Sequence, residues 1–283
     1  PKGAALGEGR FGKGLDARVA SGMVKKFPQE PAGSIYAELW TKLESAQGYN
    51  ILLSHHPKGS VHHWEVFAEP GTGNVVLYAP GMNPDHVRTA ISITDRQWHH
   101  VAISIEAKRV RMVIDGKQVA SESVVDGPVS RIEGPLAVGT LVEGGLGCEG
   151  MVDEVRIRKG EAIDPRLPAE PPTVDDETLV LWRCDSLVEE RQIADESASK
   201  INLELREPVA VSEVKTAPVD PHFEEGSVGF RWREEDSADG RWNDADVGPF
   251  LASVVGVREV FTLPRGMTIS LSKDRSISIL YDL

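Results

Sequence analysis

The chain has 283 residues, of which 40% are hydrophobic and 27% are charged. This length is enough for one large domain or two smaller ones, each with a buried core. Its 31 Lys and Arg residues are outnumbered by 44 Asp and Glu residues, which gives a net charge of −13. The acidic balance argues against a nucleic-acid partner, because such binding needs positive charge to neutralise phosphates. No apolar run approaches the roughly 20 residues of a membrane-spanning helix, so we expect no membrane span.

Short strand-like runs follow one another through the first 160 residues, and Gly, Pro, Asn or Asp separates most of them. No helical period is sustained in this part of the sequence. Many short strands with turns between them are typical of a β-sandwich or β-barrel, so the chain is predicted to be all-β. The predicted strands are Ser34–Trp40, Asn50–Ser54, His63–Ala68, Asn74–Ala79, Thr89–Thr94, Trp98–Glu106, Val110–Asp115, Gly134–Gly139 and Met151–Arg158.

The stretch from residue 96 to residue 116 predicts two paired strands and a tight turn. Apolar residues at 101, 103 and 105 alternate with small or polar ones, and the pattern recurs over Val110–Asp115. This period of two is typical of a half-buried strand. Asp115 and Gly116 come next, and Asp-Gly favours a hairpin turn because Gly accepts the positive φ that the turn needs.

The remainder of the chain is organised around two Pro-rich stretches. Residues 160–176 are acidic and Pro-rich and are interpreted as a linker. Strand candidates Thr178–Cys184 and Lys200–Arg206 follow, then a second loose stretch over 207–225. The predicted parts are residues 1–160, 161–225 and 226–283, the last a small β-rich module. We expect the parent protein to continue, because the chain stops on an apolar run.

Five motifs occur in a fixed order in the first 160 residues. They are Gly9–Leu15, Ser34–Trp40, Trp98–Ala102, Val113–Lys117 and Gly150–Ile157. Their residue types and their order resemble the LamG-like jelly-roll family of the concanavalin A-like lectin/glucanase superfamily. The resemblance implies an antiparallel, two-sheet jelly-roll sandwich with Trp40 and Trp98 in its core.

One expected family strand is missing from the start of the chain, and a similar segment occurs later. Thr178–Asp185 looks like the family's opening strand. We therefore expect residues 178–206 to pack onto the sandwich as a permuted edge, the alternative being an unfinished second repeat that packs elsewhere. The resemblance then places Cys184 near Cys148, which makes this pair a disulfide candidate.

The C-terminal tail carries a second resemblance. Gly229–Arg233, Gly240–Trp242 and Gly248–Phe250 resemble an accessory β module of large, exported, planctomycete-type proteins that also carry cytochrome c domains. The resemblance implies a fragment of a multidomain bacterial protein that is exported to the periplasm or the extracellular space. The chain itself has no Cys-x-x-Cys, so it is predicted to hold no covalent haem.

A calcium site is the first chemical hypothesis. Asp153 has the same strand parity as Val155 and Ile157, so its carboxylate is predicted to face inward, where it needs donors or a cation. The family resemblance implies structural calcium on Asp153, with Asp185 contributing from a neighbouring strand. The alternative is a carboxylate that accepts hydrogen bonds from loop amides.

A carbohydrate site is the second hypothesis. Trp64 and Tyr78, together with Asn74 and Asn83, could form an aromatic and polar platform on a concave sheet face. The histidine doublets at 55–56, 62–63 and 99–100 are interpreted as structural or surface residues, because neighbours on a strand point to opposite faces.

The sequence argues against an enzyme. Glucanases of this fold carry Glu-x-Asp-x-x-Glu on one strand, and that pattern is absent here. Two Gly-x-Gly-x-x-Gly matches lack the strand–helix context of a nucleotide site, so no nucleotide is predicted. The predicted function is non-catalytic recognition or scaffolding, with a polysaccharide or a partner domain as ligand. The alternative is an accessory domain of an enzyme or c-type cytochrome protein whose catalytic part lies outside this chain.

Overall fold

The computed structural model describes two compact units, residues 1–212 and residues 213–283. The described residues are 5–31, 34–106, 108–124, 131–160, 165–207, 219–224, 227–232, 243–246, 259–263, 267–271 and 277–281. Every regular element among them is a β-strand.

The first sheet of the larger unit has eight antiparallel strands. They are β1 (Leu6–Glu8), β2 (Lys13–Asp16), β4 (Ser34–Leu43), β9 (His99–Glu106), β10 (Arg109–Ile114), β11 (Lys117–Ser123), β13 (Gly150–Lys159) and β14 (Thr178–Trp182). Their order is β1-β2-β13-β4-β9-β10-β11, and β14 also pairs with β13.

The second sheet has nine strands, again antiparallel. They are β3 (Ser21–Pro31), β5 (Asn50–His55), β6 (Trp64–Ala68), β7 (Asn74–Tyr78), β8 (His86–Ser92), β12 (Arg131–Val138), β15 (Leu187–Val188), β16 (Gln192–Ile193) and β17 (Leu203–Arg206). Their order is β15-β16-β17-β3-β12-β5-β6-β7-β8.

One hydrophobic core joins the two sheets. Leu15, Ile35 and Val155 of the first sheet and Phe27 and Leu53 of the second are all 1% exposed or less and belong to the same cluster. Burying such side chains is the main favourable contribution to folding. The prediction of an antiparallel, two-sheet, all-β sandwich is therefore confirmed.

The predicted hairpin turn is also present. β9 pairs with β10, and β10 pairs with β11 through Ile114 and Lys117. Only Asp115 and Gly116 lie between them, with φ of 49° and 74°. Two positive φ values are what a type I′ turn requires, so this short connection folds the strand back on itself.

Residues 178–206 complete both sheets. β14 pairs with β13 over Val155–Arg158, and β17 pairs with β3 over residues 21–23. Trp182 is fully buried and donates from its indole nitrogen to the carbonyl of Ile201 at 2.8 Å. Gly22 makes room for this closure, because a Cβ there would lie 2.4 Å from Leu203.

The buried carboxylate of Asp195 stabilises the loop that follows β16. Asp195 is 2% exposed and accepts hydrogen bonds from the amides of Leu181, Ser197 and Ile201. The hydroxyl groups of Ser197 and Ser199 also donate to it, at 2.8 and 2.6 Å. This network holds residues 195–201 against β14.

The smaller unit contains two three-stranded antiparallel sheets in its described residues. One consists of β18 (Val219–Glu224), β19 (Ser227–Trp232) and β20 (Asn243–Asp246), and the other of β21 (Glu259–Leu263), β22 (Met267–Leu271) and β23 (Ile277–Tyr281). Across the described parts of both units, the structure has no helix long and apolar enough to cross a membrane.

Candidate functional site

The predicted aromatic platform is divided between two faces of the second sheet. Trp64 pairs with His55, is 1% exposed and belongs to the central core, so its assignment as a ligand-binding residue is wrong. The reason is strand parity, because Trp64 lies on the same face as the core residues Val66 and Ala68. Tyr78 has its core neighbour at 77 and therefore lies on the outer face.

Tyr78 is part of a half-buried aromatic group on that outer face. Its ring centroid lies 4.5 Å from His86 and 5.7 Å from His63. Strand register places Glu65, Tyr78 and His86 side by side on β6, β7 and β8. Cross-strand neighbours of this kind share a sheet face, so the three side chains lie in one row on the outer face, with Glu65 buried.

The two predicted asparagines lie on either side of this aromatic group. Asn74 lies four residues before Tyr78 on β7, so the two side chains are on the same face of the sheet. Asn83 is exposed in the loop between β7 and β8. Of the four predicted platform residues, the structure therefore keeps Tyr78 and Asn74 on one face.

Charged groups border the same surface. His86 contacts Asp85 through Nδ1 at 2.9 Å. Arg88 is 56% exposed at its side chain and pairs loosely with Glu69, the atoms Nε and Oε2 being 3.8 Å apart. Donors and acceptors are therefore accessible to solvent beside the rings.

His55 behaves as a structural residue. Its ring stacks on Trp64 with centroids 5.6 Å apart and lies 4.4 Å from the ring of His56. Burial, together with the nearby His56, lowers the pKa of His55 to about 3, so its imidazole is neutral at physiological pH. Across the described residues, no group of three or more His, Cys, Asp or Glu side chains is arranged to hold a metal ion.

Asp153 accepts hydrogen bonds from backbone amides. Its Oδ2 receives the amides of Arg10 and Phe11 at 2.8 and 3.0 Å, and its Oδ1 receives the amide of Glu154 at 2.8 Å. The loop can come this close because Gly9 has no side chain, since a Cβ there would lie 2.7 Å from Asp153 Oδ2. Asp153 therefore has the alternative environment considered for it above, a carboxylate that accepts hydrogen bonds from backbone amides.

The predicted inward orientation of Asp153 is wrong, and a β-bulge is the cause. Asp153 lies opposite Trp40 and Arg156 lies opposite Glu38, so β13 has one more residue than β4 in this interval. The extra residue is Glu154, with φ of 50°. A bulge of this kind shifts strand parity by one, which places Asp153 on the outer side of the sheet with Trp40.

The donors around both predicted calcium ligands do not fit calcium. Asp185 accepts the amide of Lys13 at 2.8 Å through Oδ1, and Asp153 faces three amide groups. Calcium requires oxygen ligands converging from several directions, whereas amide hydrogens converge here. Structural calcium on Asp153 and Asp185 stays a prediction that calorimetric titration can test, and no step of the proposed function depends on it.

The two cysteines are separate buried thiols, so the expected disulfide is not present among the described residues. Cys148 lies beside Asp16 and Glu149, whereas Cys184 adopts φ of 62° and its Sγ lies 3.7 Å from the carbonyl oxygen of Trp182. Proximity of the two strands is not sufficient for a disulfide, which also needs matched Cβ directions.

We expect both thiols to resist modification in the folded protein. Burial raises the pKa of Cys148 to about 12 and that of Cys184 well above its ordinary value, so neither forms a reactive thiolate. A colorimetric thiol assay should detect almost no thiol in buffer and two thiols per chain in denaturant, without reductant. If the two thiols were detected only after reduction, the result would support the predicted disulfide.

The outer face of the first sheet contains a buried charged network around Glu38. Glu38 Oε2 contacts Tyr36 Oη at 2.7 Å and His100 Nε2 at 3.0 Å, and Oε1 contacts the guanidinium of Arg156. Burial alone would raise the pKa of Glu38, but the hydrogen bond from His100 and the charge of Arg156 lower it below its ordinary value. Glu38 is therefore ionised, although its side chain is only 5% exposed.

A cleft of about 50 Å³ adjoins this network. It is lined by Glu38, Trp40, His100, Glu154, Arg156, Pro168 and Pro172. Glu154 is the bulge residue, and its Oε2 pairs with Arg183 at 3.0 Å. Burial raises the pKa of Glu154 to about 8 and that of Asp153 to about 7.

Loops close two sides of the cleft. The ring of Phe11 meets Trp40 edge-on at 5.9 Å, and the guanidinium of Arg10 lies 4.6 Å from the centroid of Trp40. Opposite, Arg156 donates to the carbonyl of Thr173 and Arg183 to that of Pro172, both at 2.8 Å. The Pro-rich stretch interpreted as a linker is thus a wall of this cleft.

Comparison with known proteins gives a family match over part of the sandwich. Residues 24–162 match the family described as the concanavalin A-like lectin/glucanases superfamily. Over these residues the sandwich is similar to a LamG-like jelly roll. No curated protein matches the chain.

Several solved structures are similar to this chain. A candidate carbohydrate-binding protein from Bacteroides ovatus has 13% identity and a TM-score of 0.49, over 68% of this chain and 62% of that one. Domain 4 of an extracellular arabinanase from Geobacillus stearothermophilus, solved with arabinotriose, has 19% identity and a TM-score of 0.44, over 58% and 80%. Domains LG4-5 of the mouse laminin alpha1 chain have 14% identity and a TM-score of 0.41, over 93% and 75%. The chain spans about three fifths of the Bacteroides protein.

We expect the LamG-like sandwich to lose stability as pH rises from 5 to 8. The raised pKa values of Asp153 and Glu154 mean that the folded state retains protons that the unfolded state has released over this range. The stabilisation is complete below about pH 4 and is lost as pH passes 7 to 8. One pKa unit corresponds to about 1.4 kcal/mol, and partial hydration reduces the sum, so we expect about 2 kcal/mol.

Urea unfolding at each pH measures this slope. The slope should be smaller in Glu154→Gln, which cannot titrate and keeps nearly the same shape. The charged neighbours of Glu154 are Arg183, Asp153, Asp185 and Glu196. Glu154→Gln loses the ion pair with Arg183 but keeps the pair between Arg183 and Glu196. An identical slope in Glu154→Gln would show that other groups are responsible.

Proposed function

We propose that the LamG-like sandwich is a non-catalytic recognition module that binds carbohydrate on the outer face of its second sheet, around Tyr78 and His86. The observation that carries the proposal is the aromatic pair itself. The two rings lie 4.5 Å apart at an angle of 34° and are both half-buried. They offer a fixed, partly exposed apolar surface on which a sugar ring can stack.

Hydrogen-bonding groups next to the aromatic pair support a sugar rather than an apolar ligand. Asp85 is 55% exposed at its side chain and Arg88 56%. Asn74 is on the same face as Tyr78. Ligand sites combine an apolar surface with a few placed polar groups, and this surface has both an exposed acceptor and an exposed donor.

The buried carboxylates favour a binding role over catalysis. Glycosidases require two carboxyl groups on the same site, one acid and one nucleophile or base. The carboxylate of Glu38 accepts hydrogen bonds from Tyr36, His100 and Arg156. The carboxylate of Asp153 accepts hydrogen bonds from three backbone amides. Neither carboxylate is available to protonate or attack a sugar.

A glycan array with the full chain tests the proposal, followed by affinity electrophoresis on the glycans that bind. We expect Tyr78→Ala to weaken binding at least tenfold, and His86→Ala to weaken it several-fold. Trp98→Ala is the matched control, because Trp98 is a half-buried aromatic residue in the loop before β9. Thermal melting of each variant confirms folding.

Two results would overturn the proposal. Binding that depends on Trp98 and not on Tyr78 would move the site elsewhere. An array without any bound glycan would favour a partner protein as the ligand of this surface.

A further inference from the structure

Three buried polar atoms belong to residues that line the cleft on the first sheet. They are Trp40 Nε1, His100 Nδ1 and Glu154 Oε1, and among the described residues none of them has a hydrogen-bond partner. The three residues are 3%, 2% and 1% exposed. Leaving such an atom unpaired costs about 1–3 kcal/mol, so a group that satisfies all three would bind favourably.

The donor and acceptor roles of these atoms follow from their neighbours. An ionised Glu38 can only accept, so His100 carries a proton on Nε2, and in the neutral imidazole this leaves Nδ1 as an acceptor. The indole nitrogen of Trp40 can only donate. Glu154 accepts from Arg183 through Oε2, and its Oε1 either accepts or, when protonated, donates. The cleft thus presents one donor, one acceptor and one group that can do both.

The charges in the cleft favour a neutral ligand. Glu38 is neutralised by Arg156. Arg183 pairs with both Glu154 and Glu196, so the charge of its guanidinium is compensated whether or not Glu154 carries a proton. Prolines 168 and 172 add apolar walls.

The volume of the cleft suits a ligand group of a few non-hydrogen atoms. About 50 Å³ is several times the roughly 10–15 Å³ that a single water molecule needs. A hydroxyl group both donates and accepts, so one hydroxyl can bridge Trp40 and His100 while a second reaches Glu154.

We propose that this cleft binds a neutral vicinal diol, either a small free polyol or the hydroxyl edge of a sugar. The first hydroxyl accepts from the Trp40 indole and donates to His100 Nδ1, and the second pairs with Glu154 Oε1. This site lies on the opposite sheet from Tyr78 and does not depend on the carbohydrate surface proposed there.

Nuclear magnetic resonance on the ¹⁵N-labelled full chain tests this site. Glycerol is titrated as the free polyol and methyl glucoside as the sugar, and the indole N–H signal of Trp40 is assigned from its loss in Trp40→Phe. We expect a saturable shift of this signal with at least one probe, while the buried indoles of Trp64 and Trp182 stay fixed. The probe that saturates first identifies the source of the diol.

Two variants separate binding from folding. Trp40→Phe keeps an aromatic ring but removes the donor, and we expect at least tenfold weaker binding, followed through His100 Nδ1. His100→Gln serves if Trp40→Phe is unstable. Trp98→Phe is the matched control and should bind normally.

The result in Tyr78→Ala distinguishes the two proposals. We expect the Trp40 shift to be unchanged in that variant, whether or not it still binds glycans. Loss of the shift in Tyr78→Ala would show that the cleft is not an independent site. A shift that is absent, or that grows linearly for all indoles, would show that the cleft holds only water.

Discussion

A chain that ends at Gly160 is expected not to fold into a stable sandwich. It lacks Val180, Trp182, Ile193, Leu203 and Leu205, which are all buried in the shared core. A fully buried side chain of this size contributes about 1.5–3 kcal/mol, and a whole domain is stable by only about 5–15 kcal/mol. The lost burial is therefore comparable with the total stability.

The measurement compares residues 1–160 with residues 1–212, the boundary of the larger compact unit. The longer chain should give a cooperative unfolding transition and dispersed amide signals in nuclear magnetic resonance spectra. The shorter one should give neither, or should aggregate. A cooperative transition of residues 1–160 at a similar denaturant concentration would mean that β14 and β17 are accessories to the sandwich.

Arg156→Ala is expected to lower the free energy of unfolding by about 3–5 kcal/mol, the typical cost of leaving one member of a buried ion pair without its partner. Glu38 would keep Tyr36 and His100 but lose its counter-charge in a site where its side chain is 5% exposed. The same substitution removes the donor to Thr173. Urea unfolding with a fixed pH measures the effect.

Arg158→Ala is the matched control for this variant. Arg158 lies two residues along the same strand and pairs with Asp175, whose side chain is 44% exposed. Exposed pairs contribute about 0–1 kcal/mol, so the control should be mild. The double variant Arg156→Ala, Glu38→Gln should recover part of the loss, because no buried charge is left unpaired. Equal effects of Arg156→Ala and Arg158→Ala would contradict the assignment of a buried network.

Local sequence signals predict the fold of the sandwich well. The Asp115-Gly116 turn depends on the conformational preferences of two residues, and the flanking strands depend on the alternation of apolar and polar positions. The same alternation at Trp64, Val66 and Ala68 indicates a core face. Applied to Trp64, this pattern predicts from the sequence alone that Trp64 and Tyr78 lie on opposite faces of the sheet.

The charged cleft cannot be derived in the same way. Strand parity places Asp153 on the wrong face because a bulge depends on the backbone of one residue, and Glu154 has no sequence feature that favours φ of 50°. Glu38 and Arg156 are 118 residues apart in the sequence, and only the register between β4 and β13 brings them together. Charged residues on alternate positions of otherwise apolar strands are the one signal that the sequence offers.

The order of the strands has a consequence for biosynthesis. β3 is made early, yet its partner β17 emerges from the ribosome only near the end of the domain. Until then one edge of β3 has open backbone groups, which can pair with strands of other chains. Contacts between such distant segments also slow folding, so this edge of β3 stays open in a nearly complete nascent chain.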